Sequence, residues 1–193
     1  MNKRLQSIIE WIIAGILLVT AVYPYVYVYV YYGSFSALEA HQKSEKSYHY
    51  GPSEILEVID IPKGKIFLCK YDKWFSADTI IKGIIKWYPG SGVGGYPIQE
   101  SQGISSIWSG SRISEDYFLY KGYGYVSNPD ITTVTLEVEW IKEDGTENKV
   151  LEYKLKDHRG FIFYWNDNET KYKPKTLRGL DVNGNILYEK NYY

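Results

Sequence analysis

The sequence has one cysteine and three histidines in 193 residues. A lone cysteine excludes an internal disulfide, so packing must hold any core. Cys69 with His41, His49 and His158 shows no ligand spacing, and a zinc site built on them would need carboxylates to complete it. No metal and no cofactor is expected. Charge of one sign is also missing: 22 Lys and Arg stand against 23 Asp and Glu, a net charge of −1. That balance argues against nucleic-acid binding, which needs a basic footprint, and it provides no polybasic membrane patch. There is no internal repeat and no low-complexity tail.

One stretch lacks charge altogether. Trp11 to Gly33 (WIIAGILLVTAVYPYVYVYVYYG) runs for twenty-three residues without an Asp, Glu, Lys or Arg. As a helix rising about 1.5 Å per residue it would be about 34 Å long, against a bilayer hydrocarbon core of about 30 Å. Pro24 would kink a soluble helix, but membrane helices tolerate it. Tyr23, Tyr25, Tyr27, Tyr29, Tyr31 and Tyr32 crowd the second half. Tyrosine prefers the membrane–water interface, so this end is expected at the outer boundary of the span.

Three other readings compete. A cleaved signal peptide would have a small-x-small site directly after the apolar core; the first cluster of small residues, Ser34 to Ala40, comes late. A β-strand is suggested by the period-2 alternation of VYPYVYVYVYY, yet both residue types are apolar or amphipathic, so there is no wet face, and a long flat apolar strand invites aggregation. A buried core helix rarely needs so long an uncharged run. An uncleaved single-pass signal-anchor is preferred. Lys3 and Arg4 favour the cytoplasmic side, which leaves the C-terminal domain outside. The expected organisation is a cytoplasmic tip and transmembrane helix over 1–33, a polar linker over 34–53 and an extracytoplasmic β-rich domain over 54–193.

The linker, SFSALEAHQKSEKSYHYGPS, has a composition that cannot make a core, and Ala37–Lys46 within it is compatible with a helical turn or two. Strand signals follow. Lys65–Tyr71 (KIFLCKY) and Thr79–Tyr88 (TIIKGIIKWY) are compact apolar runs. Pro89–Gly103 is a glycine-rich loop. Ile104–Trp108 is a short strand and Ser109–Ser114 a polar turn. Tyr117–Ser127 is a strand interrupted by Gly122 and Gly124, which suggests a bulge or close backbone packing. Thr132–Ile141 alternates, with Val134, Leu136, Val138 and Trp140 on one face and Thr133, Thr135, Glu137 and Glu139 on the other, the pattern of a half-buried antiparallel strand. Asp144-Gly145 and Val182–Asn185 are hairpin signals, and Gly160–Trp165 (GFIFYW) reads as a buried strand. About nine short strands with turn punctuation and no strong amphipathic helix predict an antiparallel sandwich or barrel, taken as a β-sandwich-like (or mixed β-rich) domain.

The order of a GKIFL-type strand, IIKGIIKWY, a glycine-rich loop, YFLYKGYGYVSNPDITTVTLEV, RGFIFYW and GLDVNGNILYE resembles a loose group of small exported or membrane-anchored proteins of Bacillus-type Firmicutes, over about residues 54–193. The most specific piece is GYVSNPDITTVTLEV. The resemblance implies a bacterial, exported setting and supplies no active site. The tyrosine-rich run departs from the more conventional apolar segment of that group.

No motif carries chemistry on its own. Gly90–Gly95 lacks the following helix and Lys-Ser/Thr pair that a phosphate loop needs. Asp181–Asn185 has Gly at the wrong place for a calcium loop and fits a hairpin turn better. Cys69 with His158 would make a nucleophile and base only if the thiol were partly exposed in an electropositive setting; inside KIFLCKY it reads as a small buried hydrophobe. Glu137 and Glu139 share one strand face, as paired glycosidase carboxylates can, but a solvated face gives the same pattern. Asn168-Glu169-Thr170 is only a formal glycosylation sequon. The candidate ligand-binding aromatics are Tyr88, Tyr96, Trp108, Tyr123 and Trp165, with Tyr125 and Tyr172 nearby in the same pattern; core or cross-strand packing accounts for the same residues. The expectation is a binding or interaction module at the cell envelope, with a protein or cell-wall partner and no catalytic residues. The alternatives are an envelope-polymer hydrolase using strand-borne carboxylates and a structural subunit of a membrane complex recruited through the tyrosine-rich helix.

Overall fold

The computed structural model describes residues 3–27, 33–92 and 94–192. Helix α1 (Lys3–Tyr27) carries Pro24 in its last turn. Its 25 residues correspond to about 37 Å. From Arg4 to Tyr27 it is long and apolar enough to cross a membrane, and none of it is buried against the rest of the chain. The later part of the tyrosine-rich run, residues 28–32, lies outside the described residues.

Twelve antiparallel strands follow among the described residues: β1 (Glu54–Ile61), β2 (Gly64–Tyr71), β3 (Trp74–Lys82), β4 (Trp87–Pro89), β5 (Tyr96–Pro97), β6 (Ile104–Ser114), β7 (Tyr117–Val126), β8 (Thr133–Lys142), β9 (Gly145–Lys154), β10 (Gly160–Asn166), β11 (Lys171–Leu180) and β12 (Ile186–Asn191). They form a first sheet ordered β1-β2-β3-β4 with β5 also on β3, a middle sheet ordered β10-β7-β6, and a third sheet ordered β12-β11-β8-β9. The β-rich, sandwich-like expectation holds, in a layered form.

Residues 34–53, expected to be a polar spacer, instead supply a packed layer. Helix α2 (Ala37–Ser47) starts at Ser36, whose side chain accepts from the Glu39 backbone N–H, a standard N-cap. Ala37 and Ala40 pack against Phe67, Cys69 and Ile80 of the first sheet. Small residues on one helix face let the helix lie close to the strands, and that buried stripe outweighs the polar composition of the rest.

The alternation of side chains sorts the core into layers. Ile66, Leu68, Phe75 and Ala77 of the first sheet meet Leu119, Tyr123 and Ile162 of the middle sheet. On the other face of the middle sheet, Val126, Phe161, Phe163 and Trp165 meet Val134, Leu136, Val138 and Leu177 of the third. The middle sheet is therefore covered on both sides. Gly122 in β7 has a local reason: a Cβ there would lie 2.1 Å from the Trp108 ring, so only glycine lets that indole sit flat on the strand.

Two expected elements differ. Thr79–Tyr88 is not one strand: β3 ends at Lys82, and the chain turns through Gly83–Lys86 into β4. Apolar runs do not by themselves reveal a tight return. Ser109–Ser114 is not a turn but the second half of β6, paired with β7 from Ser109↔Lys121 to Ser114↔Tyr117. Serine has weak strand preference, and here pairing to a buried neighbour overrides it.

Candidate functional site

The densest polar constellation lies between α2 and the first sheet. Strand β2 turns Phe67 and Cys69 toward the helix, and β3 turns Ser76, Asp78 and Ile80 the same way, because alternate residues share a face. From α2, His41 and Glu45 are four residues apart and so lie on one helix face. His41 Nδ1 is 2.8 Å from Asp78 Oδ2. Its Nε2 is 3.6 Å from Cys69 Sγ and 3.4 Å from Glu45 Oε1. The imidazole stacks on Phe67, with ring centroids 4.6 Å apart and planes 1° from parallel. Glu45 in turn accepts from the Ser53 backbone N–H at 3.3 Å and from the Ser53 hydroxyl. Gly51 closes the corner at φ 97°, where a Cβ would lie 2.7 Å from Glu45 Oε2.

Cys69, His41 and Asp78 thus have the order of a nucleophile, base and orienting carboxylate. The electrostatics do not activate it. Cys69 and Asp78 are fully buried. Burial, with the nearby Glu45 and Asp78 carboxylates, pushes the Cys69 thiol up to about 12, so the nucleophilic thiolate is disfavoured. Burial also raises Asp78, against the pull of its His41 hydrogen bond and of the Lys121 charge. In this geometry the cluster fastens α2 to the sheet. The histidine beside Cys69 is His41. His158 sits 3.8 Å from Glu57 instead, so the sequence pairing of Cys69 with His158 does not form.

A second buried charge lies across the first sheet. Lys121 of β7 donates to the Ala77 carbonyl, and to Thr79 Oγ1 at 2.6 Å. Burial lowers its ammonium to about 8, with the Asp78 charge pulling the other way.

An open cleft of about 480 Å³ lies where the first and middle sheets meet, lined by Lys70, Asp72, Lys73, Ile98, Glu100, Tyr125 and Arg159 among others. Lys70 Nζ stands 5.9 Å from the centroid of the Tyr125 ring. Arg159 is fixed by Nε donating to the Val126 carbonyl at 3.3 Å and by Nη2 donating to the Asn128 carbonyl. Three cations and one ring therefore share a wall with two carboxylates. Such a set offers a ligand charge of both signs, with the cations in excess, and the face of one ring.

The aromatics singled out from sequence separate into different layers. Tyr123 is buried between the first and middle sheets and meets Tyr96 at 6.3 Å in an edge contact. Trp165 is buried on the opposite side of the middle sheet, with Trp108 6.0 Å away and Tyr172 5.4 Å away. Tyr88 lies on β4, half-buried. Of these ring residues, Tyr125 is the one that lines the open cleft.

Glu137 is held by Arg178 at 3.1 Å, and Glu139 faces Lys175 at 3.8 Å. Asp181 accepts from the backbone N–H groups of Asn183 and Asn185 at 2.8 Å, as a turn residue does. The Gly90–Gly95 segment, whose Val93 lies outside the described residues, runs along β3: Thr79 N donates to the Ser91 carbonyl at 2.9 Å and Gly90 N to the Thr79 carbonyl at 2.7 Å. Among the described residues no group of three His, Cys, Asp or Glu side chains is placed to hold a metal ion. The cleft was not legible in the sequence, because its walls come from β2, β7 and the loops before β6 and β10; the basic pair Lys70 and Lys73 flanking a turn is its only local trace.

No family model matches the chain, nor does any curated protein or solved structure.

Proposed function

We propose that this chain is a single-pass membrane protein whose β domain lies outside the cell and acts as a binding module at the envelope, taking an anionic ligand in the cleft of Lys70, Lys73, Tyr125 and Arg159. The supporting observation for binding is that cleft, open to solvent, where three cations outnumber two carboxylates beside a ring. The supporting observations for the setting are α1, which buries nothing against the domain, and Lys3 and Arg4 ahead of the apolar run. The strand-borne carboxylates that a hydrolase would use, Glu137 and Glu139, each face a cation across the third sheet.

The test begins with protease shaving of intact cells that carry a C-terminal epitope. A membrane-bound tag that external protease removes supports the anchor and its orientation. A tag free in the medium identifies a cleaved signal, and a tag protected until lysis puts the domain inside. The full chain in detergent is then sedimented with insoluble cell-wall material. Cosedimentation that weakens roughly tenfold, about 1.4 kcal/mol, in Lys70→Gln/Lys73→Gln supports the cleft. Release of soluble fragments supports hydrolysis instead.

A further inference from the structure

We infer that the end of the first sheet that receives the chain from α1 is a membrane-docking site, where Phe35, Ile84 and Ile85 enter the lipid headgroup layer and Lys63, Lys82 and Lys86 meet its anionic groups. This rests on the reading of α1 as a membrane span and holds on whichever side of the membrane the domain lies.

The argument starts from exposure. Ile84 is 94% exposed, Phe35 75% and Ile85 66%. Large apolar side chains at a loop tip lose favourable free energy in water, and three together call for a cover. They belong to one surface. Ser34 and Trp87 exchange backbone hydrogen bonds at 2.8 and 2.7 Å, which fixes the segment entering the domain against the strand that leaves the 83–86 loop. Lys86 Nζ stands 5.1 Å from the Phe35 ring centroid.

The charge is complementary to an anionic surface. Lys82 N donates to the Lys63 carbonyl at 2.8 Å, so the β1–β2 turn brings a third lysine to the same end. Acids on the flanking elements are neutralised: Asp60 of β1 by Lys65, and Glu39 of α2 by Lys43. Lysines around aliphatic and aromatic tips let the apolar groups insert while the ammonium groups stay at the headgroups.

The tether supplies the occupant. Ser34 follows Tyr27, the last residue of α1, by seven positions in the chain, and a fully extended chain of that length spans about 25 Å at most. Ser34 therefore stays within that distance of the end of the span. A tip of three side chains is also far too small for a stable protein interface, which needs about 1,000 Å² or more.

The experiment uses the full chain in nanodiscs of phosphatidylcholine and phosphatidylglycerol. A small thiol-reactive fluorophore is placed at Ile84→Cys or, as a control, at Val182→Cys, another exposed apolar loop residue at 82%. Cys69 is wholly buried and stays unlabelled in the folded chain. The expected result is several-fold stronger quenching by nitroxide-bearing lipid at position 84 than at 182, with shielding from iodide, and loss of that difference when Ile85→Asp is added. Equal quenching at both positions in a chain that stays with the disc overturns docking and leaves the anchor standing. Retained quenching in Ile85→Asp also overturns it. A chain that does not stay with the disc removes both readings.

Discussion

Between the middle and third sheets, Val134, Leu136 and Val138 meet Phe161, Phe163 and Trp165. Between α2 and the first sheet, His41 meets Asp78, Cys69 and Glu45, with Ala37, Ala40, Phe67, Ile80 and Trp87 packed in the same layer. The first interface is held by area removed from water and tolerates apolar exchange of similar volume. The second is held by a few directional contacts in a dry setting, where each group depends on its partner being present. The first interface therefore accepts exchange among apolar side chains of similar volume, and the second requires particular polar partners.

The largest losses, of similar size, are expected at these two interfaces, and what separates them is whether a second substitution restores the loss. Asp78→Ala leaves His41 without its acceptor and removes the carboxylate charge that acts on Lys121, and should cost about 3–5 kcal/mol, as removing one member of a buried pair does. Urea unfolding measures this. The double variant His41→Leu/Asp78→Leu should recover at least half of that loss, because the imidazole no longer lacks its acceptor, while Lys121, Glu45 and Cys69 still each lose one contact. Recovery of less than half would show that the pair contributes more than mutual satisfaction.

On the apolar side, Phe161→Ala should cost about 3–5 kcal/mol through transfer and cavity terms. No second substitution among its neighbours should restore it as the double variant restores the polar side. A double-mutant cycle with Leu136→Ala checks this, the two residues being buried in the same cluster.

A smaller effect reads out Lys121. Burial lowers its ammonium in the folded chain from 10.5 to about 8. The folded state therefore gives up the proton first. The stability this confers is complete above about 10.5 and is lost as pH falls through about 8. The stability of the native chain relative to Lys121→Met should rise by about 2 kcal/mol between about pH 8 and pH 10, since a tenfold change in proton affinity is worth about 1.4 kcal/mol. Taking the difference between the two chains removes the tyrosines and Cys69, whose raised values act in the opposite direction. A flat difference curve would place Lys121 in contact with water.

The smallest effect belongs to the surface. Arg178 on the third sheet pairs with Glu137 at 3.1 Å and Glu189 at 2.7 Å. Arg178→Ala should cost less than about 1 kcal/mol, and less still in high salt, because exposed ion pairs are weak and screened. Thermal melts at two salt concentrations measure it.

Legibility from the sequence follows the same divide. Strand β8 is readable because its alternation is complete and its face is oily. The hairpins at Asp144-Gly145 and Val182–Asn185 are readable because turn chemistry is local. The second half of β6 is not: its serines carry no strand preference, and only pairing with β7 orders them. Helix α2 is not readable as core, because its buried face includes two alanines, a histidine and a glutamate. The cleft and the His41–Asp78–Cys69 cluster were invisible for a related reason. His41 reaches partners 28 and 37 residues away, and no spacing in the chain announces contacts set by how a helix lands on a sheet.

Features that repeat over short distances were already present in the chain: an uncharged apolar run of bilayer length, antiparallel strands from period-2 alternation, and the turns that join them. Those depend on backbone geometry and side-chain type within a few residues. Tertiary packing alone set the strands into three stacked sheets, divided the aromatics between two of the interfaces, turned a polar segment into a packed helix, and gathered Lys70, Lys73, Tyr125 and Arg159 into one cleft. Those depend on which surfaces meet, and residues distant in the chain settle that together when the apolar faces find the arrangement that removes most of them from water.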